Sequence, residues 1–224
     1  MTLLFATALL WLLLHVGVSG TVLRDRLVGV FGEAAFRGVF AVLSPVVLVA
    51  QIYAYDAAQT SNLWVTPGWA FWVADAVMLV AFVLFVGSLS PQNPTMLGAG
   101  AVNGEPRGMF RITRHPMLCA FGLWAAVHLL TNGDTASLVF FGTFLLTVLA
   151  GIPSLDAKLA RRDPAVWAEL ASHTSRVPFA AILGGRNRLA LGEIRWWVPV
   201  AGVLAWAAML YLHAFVIGVA ATPP

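Results

Sequence analysis

Apolar residues run almost unbroken through six stretches of the chain: Thr2–Ser19, Val39–Tyr55, Trp69–Leu89, Met117–Leu130, Ala136–Ile152 and Trp196–Val216. All but the fourth reach the roughly 17–25 residues that a helix needs to cross a bilayer. The fourth is short for a full crossing, so it begins earlier, tilts little, or ends below the far surface. The pattern predicts an all-α integral membrane bundle of about six transmembrane helices, with residues 1–224 forming a single transmembrane domain. Between the fifth and sixth runs, Pro153–Arg195 is the one stretch long enough for a substructure of its own. Asp163-Pro164 reads as a helix start there, and Trp167, Glu169 and Leu170 continue it amphipathically. The expected result is a small helical cap. The first run carries no basic residues before it, which favours a retained helix over a cleaved leader.

Composition agrees with that picture, because 60% of the residues are hydrophobic and only 10% are charged, against about a quarter charged in soluble domains. All thirteen Lys and Arg residues fall in alternate loops. Three follow the first run (Arg24, Arg26, Arg37), three precede the fourth (Arg107, Arg111, Arg114), and the rest lie between Lys158 and Arg195. Cytoplasmic loops carry that excess. The chain is therefore expected in a bacterial inner membrane with the cap in the cytoplasm and both termini periplasmic. Its positive charge is a topology signal and its partner the lipid bilayer; nucleic-acid binding is not implied. Cys119 is the single cysteine, which excludes an intrachain disulfide and a Cys-based zinc site.

Ionisable groups at membrane depth are costly and mark sites. His15, His115, His128 and His213 lie in or at the mouths of apolar runs, whereas His173 lies in the cap. With Asp75 the main carboxylate at depth, a hydrolytic metal centre has little to be built from, and a macrocycle held by two imidazoles suits the apolar surroundings better. Trp11 and Trp124 each precede a histidine by four residues and share its helix face. They are candidates to pack on a cofactor, while Trp64, Trp69, Trp196 and Trp197 read as interfacial anchors. Before the fourth run, Gly108-Met109-Phe110-Arg111-Ile112-Thr113-Arg114-His115-Pro116 places Arg111 and Arg114 beside a helix N-terminus, suited to a propionate or phosphate-like anion. Headgroup contact by snorkelling arginines is the alternative.

Ile112-Thr113-Arg114-His115-Pro116, followed by Trp124, His128 and Asn132-Gly133, resembles the NnrU family of bacterial membrane proteins, which includes the 15-cis-ζ-carotene isomerases. His15, Gly17 and Leu23-Arg24 resemble its N-terminal pattern, and Thr174-Ser175-Arg176-Val177-Pro178-Phe179 with Gly185-Arg186 its cap segment. The resemblance implies a b-type haem ligated by His15 and His128. Arg111, Arg114, His115, Trp124 and His213 are then cofactor-binding candidates, with His128 and His213 as the reserve ligand pair. Ala125 stands where the isomerases have a cysteine, and Ile52-Tyr53-Ala54-Tyr55 where they have a histidine.

By helix rise alone, His15 lies about 7 Å from the cytoplasmic end of its helix, His128 about 16 Å from the start of its own, and His213 about 25 Å. The implied functions are cis–trans isomerisation of an apolar polyene, or nitric oxide binding in denitrification. The alternative from another class is an S-adenosylmethionine-dependent membrane methyltransferase, with Arg114-His115-Pro116 and the segment from Trp167 to Pro178 as its pocket. Below Thr131-Asn132-Gly133-Asp134 the short fourth helix is expected to leave a cavity.

Overall fold

The computed structural model describes residues 1–89 and 106–222. Helix α1 (Thr2–Leu12) continues into a π-helical turn, Leu13–Val18, and then bends by 79° into α2 (Val22–Phe31), where the Thr21 hydroxyl accepts from Leu23 N–H as a cap. The remaining helices are α3 (Glu33–Asp56), α4 (Gly68–Ser88), α5 (Met109–Ile112), α6 (Pro116–Asn132), α7 (Thr135–Arg162), α8 (Pro164–His173), α9 (Ala180–Leu183) and α10 (Trp197–Ile217). By length and composition α3, α4, α7 and α10 can each cross a bilayer, α1 with α2 can form a bent fifth span, and α6 is a shorter apolar helix of 17 residues. The protein is an all-α membrane bundle. Its outer faces fit that solvent, for Tyr211 is 86% and Phe215 89% exposed.

Two boundaries differ from the sequence expectation. Helix α3 starts at Glu33 rather than Val39, and α7 continues past Ile152, through Pro153, to Arg162. An interior proline removes a hydrogen bond and weakens a helix. Tertiary contacts beyond it hold the helix on: Ser154 Oγ donates to Gly20 O, Lys158 Nζ to Ser19 O, and Asp156 accepts from Arg176 of the cap. The cap accordingly begins at Asp163, which caps α8 by accepting from Val166 N–H.

Contacts between neighbours arrange the long helices as a curved row, α3–α1–α7–α6–α4–α10, with α3 also touching α7. Helix α7 is thus central, and α10 is an edge helix lying on α4. The α4–α10 approach requires Gly202, where a Cβ would lie 2.8 Å from Val83 Cα. At the other end, α6 terminates at Gly133, whose φ of 67° suits glycine in a left-handed cap. The α3–α4 loop satisfies the carbonyls left open there. Leu63 N–H donates to Gly133 O, and Trp64 Nε1 and Thr66 Oγ1 donate to Leu130 O. This loop packs against the turn beneath which the sequence suggested a cavity. Asp134 then starts α7, accepting from Ala136 N–H, Ser137 N–H, Ser137 Oγ and Thr60 Oγ1.

Candidate functional site

An aromatic layer crosses the centre of the row. Phe144 of α7 contacts Trp11 of α1 at 5.0 Å and Trp124 of α6 at 5.3 Å between ring centres. Trp11 stacks on His15 at 3.8 Å, and Trp124 lies 5.4 Å from His128. Each tryptophan does share a face with its histidine, as the four-residue spacing implies.

The two histidines nevertheless do not converge. Helix α1 runs parallel to α7, since Leu4 packs with Phe140 and Phe141, Trp11 Nε1 donates to Thr147, and Ser154 reaches Gly20. Helix α6 runs the opposite way. His15 and His128 therefore leave the Phe144 level in opposite directions, about 12 Å apart along the bundle at 1.5 Å per residue. What the structure brings together is the reserve pair. The His128 and His213 rings are nearly parallel with centres 6.4 Å apart, and His128 also stacks on Phe141 at 4.9 Å. Asp75 of α4 lies close enough to His213 for the two side chains to interact.

Donor chemistry is the same at all three membrane histidines. Nδ1 of His15 faces Trp11 O at 3.1 Å, that of His128 faces Trp124 O at 2.8 Å, and that of His213 faces Val219 O at 2.7 Å. A carbonyl only accepts, so each Nδ1 carries the proton and each Nε2 presents a lone pair, the arrangement of a metal-ligating imidazole. The His15 Nε2 accepts from Ser44 Oγ. Among the described residues, no hydrogen bond is made by Nε2 of His128 or His213. His15 also sits inside the π-helical turn, a distortion common at functional positions. Two turns from Ser44 on α3, the fully buried Gln51 amide has no partner among the described residues at either polar atom.

A second cluster closes the basic end. Asp156 of α7, 1% exposed, receives Arg114 Nε at 3.0 Å and Nη2 at 2.9 Å, His115 Nε2 at 2.8 Å and Arg176 Nε at 2.5 Å. Trp167 covers the Arg114 guanidinium, 5.2 Å from its ring centre. Burial pushes the His115 imidazole below its ordinary range. It is neutral, with Nε2–H donated to Asp156 and a lone pair on the buried Nδ1, which has no partner among the described residues. Nearby, Arg111 clasps Glu193 through Nε at 2.7 Å and Nη2 at 2.9 Å, and this holds the Glu193 carboxyl down at about 2. Both arginines proposed as an anion site thus already bind protein carboxylates. The segment from Trp167 to Pro178 does meet Arg114 and His115, but as a packed ionic core: Thr174 is also only 1% exposed.

Asp156 and Glu193 were not visible in the sequence as site residues. Asp156 stands 42 residues from Arg114, beside Lys158 in what reads as a solvated helix end, and no spacing motif links the two.

An all-α membrane bundle with a knotted basic cap and histidines at bilayer depth is the class that this geometry defines. The sequence profile described as NnrU protein matches residues 3–221, so the chain belongs to the NnrU family. It is 32% identical over 192 residues to a 15-cis-zeta-carotene isomerase, chloroplastic, of Arabidopsis thaliana, and 28% identical to the protein of the same name from Zea mays. Each match covers 81% of this chain and 50% of the relative, so the chain spans about half the length of the curated relatives it matches. No solved structure matches it.

Removing one partner from a buried ion pair strands the others, at a cost of about 3–5 kcal/mol. Asp156→Asn should therefore lower the thermal midpoint of the detergent-solubilised protein sharply. Asp163→Asn, which keeps a good helix cap, should change stability by less than about 0.5 kcal/mol. Equal, small shifts in the two variants would show that the knot is dispensable.

Proposed function

We propose that this chain is a membrane-embedded cis–trans isomerase of a long apolar polyene, working with a b-type haem held at His128. The reading is supported by the two relatives bearing the isomerase name, and its site rests on one observation, the meeting of His128 and His213. The two ring centres lie 6.4 Å apart, and His128 and His213 together would hold the haem iron. The residues fit the group by donor chemistry as well, with both Nδ1–H groups fixed by main-chain carbonyls and both Nε2 lone pairs uncommitted. His15 does not fit as a partner of His128 on the same iron. When bound, the haem would supply electron density able to weaken a conjugated double bond.

The remaining work falls to the chain. Phe141 and Trp124 fix the His128 ring. Helix α10 packs along α4, so the meeting of His213 with His128 lies at an edge of the bundle that opens on lipid. An apolar substrate can enter there without crossing water. The aromatic layer of Trp11, Phe144 and Trp124 walls the site on its inner side.

In spectra of detergent-purified protein from haem-replete cells, His128→Ala and His213→Ala should each lose most of the Soret absorbance. His15→Ala and His115→Ala should retain it. Loss in His15→Ala with full retention in His213→Ala would transfer the second ligand to His15. Full retention in His128→Ala would remove the proposed site.

We also place the basic end in the cytoplasm, on the distribution of all thirteen Lys and Arg. Reporter tags on either terminus should then be accessible from the periplasmic side in bacterial cells. A cytoplasmic signal from either one would invert or break this topology.

A further inference from the structure

The cap holds a second feature that the haem reading does not use. A cleft of about 520 Å³ opens at the basic end, lined by Arg111, His173, Arg186, Asn187 and Arg188 among others. Arg111 is paired with Glu193. Arg186 donates through Nη1 to the carbonyls of Ala171, Ser172 and Thr174, which closes the end of α8 but neutralises nothing. The Arg188 guanidinium makes no hydrogen bond or ion pair with the described residues; only its main-chain N–H is engaged, by Asn187 Oδ1. Arg186 and Arg188 thus border the cleft with no carboxylate partner among the described residues.

The flanking loop is apolar on its outside. Leu183 is 87% exposed, Leu191 67%, Val177 66% and Leu189 48%. Four large aliphatic side chains projecting beside a basic cleft are unfavourable in water. At the interface of a bilayer they can enter the acyl boundary while the arginines meet headgroups.

We propose that this cleft binds the phosphate group of an anionic phospholipid, with Arg188 as the uncommitted fork and the loop leucines against the acyl chains. Phosphate is the chemistry that a guanidinium recognises bidentately. The leucines favour a lipid over a free ion as its source.

Native mass spectrometry of the full chain in neutral detergent tests this, with short-chain phosphatidylglycerol, short-chain phosphatidylcholine and inorganic phosphate as separate probes. The expected result is saturable retention of one phosphatidylglycerol per chain. Its affinity should fall about fivefold in Arg188→Gln, which breaks no contact within the fold, and also in Leu183→Ser. Inorganic phosphate should not displace it. Equal binding of the two lipids, or unchanged affinity in Arg188→Gln, would overturn the site. Inorganic phosphate binding as tightly as the lipid, with the same Arg188 dependence and no effect of Leu183→Ser, would overturn its assignment to lipid.

Discussion

The carboxylate of Asp156 is the constraint from which the rest of the structure follows. A charge with 1% exposure is tolerable only when surrounded by donors, and two guanidiniums and an imidazole provide them. Those donors come from two places, the turn before α6 and the segment after α8, and they meet on α7. Satisfying one oxygen pair therefore sets the register of α6 on α7 and seals the cap over both. At the far end the Gly133–Asp134 turn and the α3–α4 loop set the same register again. With both ends fixed, His128 has one place to be, against Phe141.

Between these ends the solvent is hydrocarbon, and polar groups must find partners inside the chain. The three membrane histidines do so in one way, turning Nδ1–H back to a main-chain carbonyl and leaving Nε2 free or, for His15, in contact with a serine hydroxyl. That choice fixes the tautomer without adding charge. It also leaves two neighbouring imidazoles, on α6 and on the edge helix α10, with no hydrogen bond to Nε2 among the described residues. His115 is neutral as well, but it is held inside the ionic knot, which gives it a structural part in the Arg-His-Pro turn.

Much of this was legible in the chain itself. Six apolar runs became helices because their length and composition admit nothing else in a bilayer, and Asp163-Pro164 starts α8 because local capping chemistry suffices. The tryptophan–histidine faces followed from helical spacing alone. What escaped was set by distant partners. Asp156 becomes a site residue only when Arg114 and Arg176 arrive, and α7 survives Pro153 only because Ser154 and Lys158 grip the turn after α1. The separation of His15 from His128 depends on the opposite directions of α1 and α6 about Phe144, which no depth estimate along single helices can reveal. The pairing of His128 with His213 depends likewise on α10 docking at the edge of α4.

The central claim, that this fold isomerises a polyene, is tested most directly in bacterial cells that accumulate 15-cis-ζ-carotene and are kept in the dark. Expression of the chain should shift the extracted pigment toward the isomer with the central double bond trans, as resolved by chromatography, and His128→Ala at equal membrane abundance should not. An unchanged isomer ratio, with the wild-type protein present in the membrane and carrying haem, would contradict the account.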